Sequence, residues 1–201
     1  AAITLNFIRA MLREDFIGEF YISHEALHLH YEQALTRYFV EGGWYDLSTH
    51  FPWIGMRTAY CGSAQVEFLR GVQNPIGIKL GLNMQPDALV DLVECLNPLH
   101  EEGRLVLITR LGAGNVEKRL PALMQAVKLS RCPVAWFCDP MHGNTEVTKE
   151  GIKTRHFDTI LQELVETLNI HHLMGSHLSG VHLELTGENV TECLGGPEAL
   201  N

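Results

Sequence analysis

From about residue 75, short apolar runs rich in β-branched residues recur along the chain, each flanked by glycine or proline. This pattern is typical of strands that are buried on both faces of a parallel sheet. The predicted strands are "PIGIKLG" (75–81), "LVLITRLG" (105–112), "PVAWFCDPM" (133–141) and "GVHLELTG" (180–187).

Apolar residues at helical spacing lie between these runs and predict helices over 86–96, 115–129 and 156–168. Pro121 falls inside the second pattern and predicts that its helix proper begins near that residue. Alternation of strand and helix at intervals of about thirty residues indicates βαβ units and a parallel sheet. Two α/β architectures fit: a TIM barrel and an open, doubly wound sheet.

The N-terminal third is less regular. It predicts a helix over 2–12, a strand at "EFYISHE" (19–25), a helix over 26–39 and a strand at "PWIGMRT" (52–58). The total of about six strands is two fewer than a closed (β/α)₈ barrel requires. We therefore expect one α/β domain over residues 1–201, with a partial barrel or an open sheet.

Composition narrows the class of protein. The 201 residues are 46% hydrophobic with a formal charge of −9, which argues against nucleic acid or an anionic membrane as a partner. No apolar run is long enough to span a membrane and no secretory signal is evident, so the expected location is the cytoplasm, or a plastid for a plant protein. The five cysteines are scattered without a CxxC pair, which indicates reduced thiols.

Polar side chains follow the predicted strands at the edge where parallel α/β folds bind ligands. Their types suggest two roles. The cations suit phosphate or carboxylate groups, and a His–Glu pair suits a divalent metal, unless that pair only bonds to neighbouring polar groups. Asp139 could orient a ligand, act as a base or cap its loop. The candidates are Arg57, Lys79, Arg110, Asp139, His142 and Glu184.

Other polar motifs are weaker. His24 and His28 lie four residues apart on a helical pattern without the HExxH register, and are interpreted as surface or packing histidines. The "GAGN" stretch (112–115) only loosely resembles a phosphate-binding loop.

Seven segments form an ordered set of motifs that covers nearly the whole chain. They are "YISHEALHLHYEQALTR", "WIGMRT", "VEFLRGVQNPIGIKLG", "ITRLGAGNVEKRLPALMQAV", "WFCDPMHGNT", "KTRHFDTILQEL" and "GVHLELTGENVTECLGG". This highly specific set resembles class II 3-deoxy-D-arabino-heptulosonate 7-phosphate (DAHP) synthases, the plant-type first enzymes of the shikimate pathway.

The resemblance implies a TIM-type (β/α)₈ barrel that condenses phosphoenolpyruvate with erythrose 4-phosphate and uses a divalent metal, Mn²⁺ or Co²⁺. Matching the motifs implies that Arg9, Arg57, Lys79 and Arg110 bind phosphoenolpyruvate. His142 and Glu184 would be metal ligands, and Lys79, Asp139 and His142 would be the catalytic residues.

Departures from the family pattern concern the same site. The family's GGDCAE-like and CDPRLN-like motifs, which supply a Cys and an Asp ligand, do not occur, so two expected metal ligands are missing. Met56 stands where the family has Glu, and Leu82-Asn83 stands where it has Pro-Thr. The chain is therefore interpreted as a truncated homologue, either part of a synthase or a non-catalytic protein that binds a phosphorylated ligand or a partner chain. Open sheet edges predict association, most simply as a homo-oligomer.

Overall fold

The centre of the fold is a six-stranded parallel sheet. The computed structural model describes residues 7–8, 10–11, 20–149, 151, 153–185 and 193–195. The strands of the sheet are β1 (Ser23–Glu25), β4 (Phe51–Ile54), β5 (Ile76–Leu80), β6 (Leu105–Thr109), β7 (Ala135–Cys138) and β10 (Leu178–Val181). They lie in the order β1-β4-β5-β6-β7-β10, and every neighbouring pair is parallel.

The strand order decides between the two predicted architectures. Each strand pairs with the next parallel strand along the chain, so the order never reverses. A doubly wound sheet reverses at its switch point, whereas a TIM-type barrel adds every new strand on the same side. The fold is therefore an α/β fold of the TIM-barrel type with six strands. In the part of the chain that the structure describes, β1 and β10 are the two ends of this sheet.

One face of the sheet packs against helices. The helices are α1 (Leu29–Leu35), α2 (Ala64–Leu69), α3 (Pro86–Leu96), α4 (Val116–Ser130) and α5 (Phe157–Leu173). Ile76, Ile78 and Leu80 alternate along β5 and are fully buried against apolar residues of α3 and α4, such as Leu92 and Leu123. This alternation leaves Gly77 and Lys79 on the opposite, concave face, beside Trp53.

Helices α3 and α4 match their predicted ranges closely, whereas α5 begins as predicted and continues to Leu173. Helix α4 begins at Val116, so the prediction that it begins near Pro121 is wrong. Pro121 removes only the hydrogen bond to the carbonyl of Glu117. Because Glu117 lies on the exposed first turn, water can satisfy that carbonyl.

The predicted helix over 26–39 is wrong at both ends. Helix α1 covers only Leu29–Leu35, and Thr36–Phe39 is strand β2, which pairs with β3 (Gly43–Asp46) as an antiparallel hairpin. Residues of this hairpin pack as aromatic pairs, Tyr38 with Trp44 and Phe39 with Tyr45. Cross-strand aromatic pairs outweigh the local helical spacing.

A second small sheet was not predicted from the sequence. It consists of β8 (Glu146–Val147), β9 (Lys153–His156) and β11 (Cys193–Leu194), in the order β11-β9-β8. Strand β9 leads directly into α5. Residues 7, 8, 10 and 11 are helical, and the rest of the helix predicted over 2–12 lies outside the described residues.

Apolar side chains remain exposed beside the last strand of the sheet. Val181, Leu183 and Leu185 follow one another at alternate positions with 39%, 49% and 86% of their surface exposed. The association with another chain stays a prediction, and these side chains are a surface on which it could occur. Among the described helices, none is both long and apolar enough to cross a membrane.

The concave face is packed tightly around Gly77, which gives a test of the fold. A Cβ at this position would lie 2.8 Å from Trp53 Cβ and 2.9 Å from Phe51 Cζ. We expect Gly77→Ala to lower the free energy of unfolding by about 1–3 kcal/mol through overpacking, as measured by urea denaturation. Gly71→Ala is the matched control, since its Cβ would meet only the Phe68 carbonyl at 3.4 Å. Equal stability of both variants would contradict this packing.

Candidate active site

A buried ion pair lies at the carboxyl end of the sheet. Lys79 is the penultimate residue of β5, and Asp139 directly follows β7. Lys79 Nζ donates a hydrogen bond to Asp139 Oδ2, and the two side chains are only 4% and 0% exposed. The ammonium also lies 5.1 Å from the centre of the Trp53 ring, within the range of a cation–π contact.

Asp139 is the centre of the hydrogen-bond network. Its carboxylate accepts hydrogen bonds from the backbone N–H groups of Met141 and His142, both at 3.1 Å, and contacts His142 Nδ1 at 2.8 Å. Burial alone would raise the pKa of Asp139, but the bonds from His142 and the charge of Lys79 outweigh it and hold the pKa well below its usual range. A carboxylate that resists protonation is a poor general base, so Asp139 caps its loop and orients His142.

A second cation stands near Lys79. Arg110 follows β6, and its charge, after burial, contributes to lowering the pKa of Lys79, while Asp139 opposes that shift. Arg110 Nη2 donates to the His142 carbonyl, and Nη1 lies 3.8 Å from Met56 Sδ, a weak acceptor. Arg110 Nε is buried and has no hydrogen-bond partner among the residues described.

The two predicted metal ligands, His142 and Glu184, also lie close to each other. His142 Nε2 lies 3.5 Å from Glu184 Oε2, while Arg155 Nη2 donates to the same oxygen at 3.1 Å. Asp139 holds the other ring nitrogen of His142, as carboxylates commonly do behind metal-binding histidines. Over the ranges that the structure describes, however, no group of three or more His, Cys, Asp or Glu side chains is arranged to hold a metal.

Two predicted phosphoenolpyruvate ligands are not part of this network. Arg57 lies in the turn after β4 and is exposed, and no hydrogen bond or ion pair of its side chain is found with the described residues. Arg9 lies outside the described residues. The structure thus brings together Lys79, Arg110, Asp139, His142 and Glu184.

Sequence analysis missed three residues of this site. Glu25, the last residue of β1, is close enough for its charge to raise the pKa of Lys79. His182 lies between Trp53 and His142, with ring centroids 5.5 and 6.4 Å away, and Arg155 pairs with Glu184. His182 could have been found, because it lies two positions before Glu184 in the predicted strand 180–187 and strands repeat every two residues, although β10 itself ends at Val181.

The surroundings of His182 favour its neutral form. Burial lowers its pKa first, and the charge of Lys79 lowers it further. The thiol of Cys138, on the other face of β7, has its pKa raised to about 12 by burial and is therefore an unreactive packing group.

The "GAGN" loop does not act as a phosphate-binding loop in this structure, because its amides are already occupied. Within the loop, Ala113 N donates to Asn144 Oδ1 at 2.9 Å and Gly114 N to Glu166 Oε2 at 2.9 Å. Just before it, Leu111 N donates to Glu163 Oε1 at 2.7 Å. Two of these three acceptors are carboxylates of α5, so the loop faces negative charge.

The histidine pair "HEALH" is not on one helix. His24 lies in β1, where Nε2 is 2.9 Å from Glu32 Oε1 and 3.3 Å from Ser48 Oγ. His28 precedes α1. The interpretation of His24 as a helix residue is therefore wrong.

A large cavity lies at the other end of the sheet. Its volume is about 890 Å³, and its apolar wall includes Phe51, Val106 and Phe137. Its lining does not include the polar residues at the carboxyl ends, so the candidate active site is defined by its chemistry rather than by this cavity.

Comparison with known proteins agrees with this geometry. Residues 4–201 match the model of the class-II DAHP synthetase family. The chain belongs to the class-II DAHP synthetase family. It is 46% identical over 190 residues to "Phospho-2-dehydro-3-deoxyheptonate aldolase AroG" of Mycolicibacterium smegmatis, covering 92% of this chain and 41% of that protein.

A second relative is similar at the same level. The chain is 45% identical over 200 residues to "Phospho-2-dehydro-3-deoxyheptonate aldolase" of Streptomyces coelicolor, covering 98% of this chain and 44% of that protein. This member of the class-II DAHP synthetase family thus spans less than half the length of either curated relative.

The buried carboxyl of Glu163 predicts a pH dependence of stability. Burial raises its pKa from 4.5 to about 7, so the folded protein binds this proton more tightly than the unfolded chain does. The resulting stabilisation is present below pH 4.5 and is lost as the pH rises through about 7. Relative to Glu163→Gln, the wild-type free energy of unfolding should fall by on the order of 3 kcal/mol from about pH 5 to about pH 8.

Urea denaturation across this pH range measures the difference between the two proteins. The comparison removes the contributions of histidines and other groups that titrate in both. A difference that is constant with pH, or that grows in the opposite direction, would contradict the assignment to Glu163.

Proposed function

We propose that this chain carries the phosphoenolpyruvate-binding part of a DAHP synthase active site. The proposed activity is that of a 3-deoxy-7-phosphoheptulonate synthase, a transferase that condenses phosphoenolpyruvate with erythrose 4-phosphate in the first step of the shikimate pathway. Family membership supports the reaction, and the network of Lys79, Arg110 and Asp139 supports a role in anion binding.

The main support is the unused donor capacity of Arg110. Its Nε is buried without a partner among the described residues, although buried donors are nearly always satisfied. Met56 offers the guanidinium a thioether rather than a carboxylate, so the charge of Arg110 is not neutralised there. An anion bound between Arg110 and Lys79 would supply both the missing acceptor and the missing charge.

Lys79 can bind an anion without leaving Asp139. An ammonium has three donors, and one is used by the carboxylate. Burial strengthens each remaining interaction because little water competes. Arg57 is exposed in the turn after β4, and we expect it to bind the part of the ligand that projects outward.

In the proposed reaction, C3 of phosphoenolpyruvate attacks the aldehyde carbon of erythrose 4-phosphate. The carbon left electron-poor takes up water, and inorganic phosphate leaves as the ketone forms. Lys79, Arg110 and Arg57 bind the phosphate and carboxylate of phosphoenolpyruvate throughout. Asp139 fixes the positions of Lys79 and His142 through its hydrogen bonds. Holding charged groups in fixed positions is a large part of catalysis in such sites.

His142 and Glu184 fit part of a divalent metal site of the Mn²⁺ or Co²⁺ type. Both side chains present donors that such metals accept, and Asp139 orients the imidazole. A bound metal would polarise the aldehyde oxygen as a Lewis acid. Catalytic metals usually have at least three protein ligands, so this pair needs further donors.

The incomplete metal site formed by His142 and Glu184 also supports a second candidate function, that of a binding protein. Because only two candidate ligands converge among the described residues, binding of a phosphorylated ligand without turnover is the alternative. A Mn²⁺-supplemented assay that follows the loss of phosphoenolpyruvate absorbance on adding erythrose 4-phosphate separates the two. Turnover supports the synthase, and phosphoenolpyruvate binding without turnover supports the binding protein.

Phosphoenolpyruvate affinity should depend on Arg110. Replacing Arg110 with Met removes the unsatisfied donor and one cation, and should weaken binding by about 10- to 100-fold, the usual value of hydrogen bonds to charged groups. Arg70→Met is the control, since Arg70 is an exposed residue paired with Glu67 on α2. Isothermal titration calorimetry measures both, and equal affinities in the two variants would refute the proposed anion site.

Metal affinity should depend on His142. Electron paramagnetic resonance of free Mn²⁺ should show at least about tenfold weaker binding for His142→Ala, with loss of any turnover. His100→Ala is matched, because His100 forms a similar pair with Glu94 at 2.9 Å on the surface. Mn²⁺ binding that is unchanged in His142→Ala would exclude the His142–Glu184 pair as a metal site.

A further inference from the structure

A carboxylate outside the proposed substrate site connects the two loops that carry Arg110 and His142. Glu163 lies on α5 and is fully buried. One oxygen accepts from Leu111 N at 2.7 Å, and the other accepts from Asn144 Nδ2 at 2.7 Å. Leu111 lies in the loop after β6, and Asn144 lies in the loop after β7.

Asn144 makes the second half of the connection. Its Oδ1 accepts from Ala113 N at 2.9 Å, and its Nδ2 donates to the Pro140 carbonyl at 2.8 Å as well as to Glu163. The Oδ1 bond joins this side chain to the loop after β6, the Glu163 bond joins it to α5, and the Pro140 bond lies within its own loop. Both donors of the side-chain amide are occupied, so this arrangement leaves none for a substrate.

The two loops are also in backbone contact. A Cβ on Gly143 would lie 2.5 Å from Gly112 N, so no larger residue fits where the loops cross. Gly112 itself has φ +79°, which favours glycine. At this close approach, a small displacement of one loop must move the other.

We propose that Glu163 is a positioning residue that fixes Arg110 relative to His142. Arg110 immediately precedes Leu111, and His142 lies two residues before Asn144, so each partner of Glu163 is close in the chain to a residue of the site. The bond from Arg110 Nη2 to the His142 carbonyl closes the ring of contacts. This inference rests on the proposed function, because the effect of Glu163 is measured through the affinity for phosphoenolpyruvate.

The charge of the site agrees with this role. Glu163 accepts hydrogen bonds from neutral N–H groups. The negative charge of Asp139 contributes, after burial, to raising the pKa of Glu163. A group placed in this way does not neutralise Arg110 or Lys79. It leaves their charge available to an anion and contributes geometry alone.

Glu163→Gln is the most direct test, because glutamine keeps the shape but presents an N–H group to one of the two loops. Glu166→Gln is the matched control on the same helix. Glu166 bonds to Gly114 in the same loop but makes no described bond to Asn144. ¹H–¹⁵N NMR of the ligand-free protein reports the Asn144 side-chain amide and Arg110 Nε–H, and calorimetry reports phosphoenolpyruvate affinity.

In Glu163→Gln we expect both NMR signals to move and the affinity to fall by about tenfold or more, as for groups that orient a ligand-binding side chain. Glu166→Gln should shift only the Gly114 region and change the affinity by less than about twofold. The Arg110 Nε–H signal is the deciding readout, because a purely structural role of Glu163 would leave this signal in place.

The outcomes separate the two proposals. Unmoved Arg110 and Asn144 signals in Glu163→Gln, or an equal loss of affinity in Glu166→Gln, overturn the positioning role. Absence of phosphoenolpyruvate binding in the wild type overturns the proposed function, while the ligand-free spectra still decide whether Glu163 holds Arg110. Should Glu163→Gln fail to fold, Asn144→Ala tests the same connection, and unmoved Arg110 signals in that variant overturn it.

Discussion

The candidate site depends on a single buried carboxylate, that of Asp139. Burying a charged carboxylate away from water costs free energy. The Lys79 ammonium, the His142 ring and two backbone amides offset that cost. These partners come from the loop after β7 and from another strand. Satisfying Asp139 therefore fixes the end of β7 against β5 and sets the direction in which the imidazole points.

The same reasoning explains why the polar cluster forms at one end of the sheet. Lys79 occurs at an inward position of a strand that is otherwise fully apolar, and only an acceptor at the end of a nearby strand can reach it. The loops after β6 and β7 then carry Arg110 and His142 towards this pair. Helix α5 holds both loops from behind through Glu163, whose carboxylate is buried but satisfied by N–H donors.

Much of the fold could be predicted from the sequence, because strands β5, β6 and β7 are short apolar runs and helices α3 to α5 have regular spacing. The barrel-type order could not, since it depends on which strands pair, and the sequence allowed both architectures. The β2–β3 hairpin was missed because its residues also fit a helical spacing, and aromatic pairing across the strands decided the outcome. Strand β9 was missed because it is charged and merges with the start of α5.

Only part of the candidate site could be predicted, because some of its residues are recognisable only after the chain has folded. Residues at strand ends, such as Lys79 and Asp139, are visible as polar interruptions of apolar runs. Arg155 and Glu163 are not visible in this way, because Arg155 lies in the unpredicted strand β9 and Glu163 resembles the other charged residues of an amphipathic helix. Their burial arises only when α5 and β9 pack against the loops, which is tertiary information.

The proposed anion site and the proposed metal site differ in how completely their side chains are held in place. The cations Lys79 and Arg110 are fixed by hydrogen bonds that do not involve a metal, so their arrangement exists before any ligand arrives. Glu184, in contrast, is half exposed and shared between His142 and Arg155. A metal would have to displace the Arg155 guanidinium from that oxygen, and two ligands give little free energy for the exchange. The proposed anion site is therefore more complete than the proposed metal site.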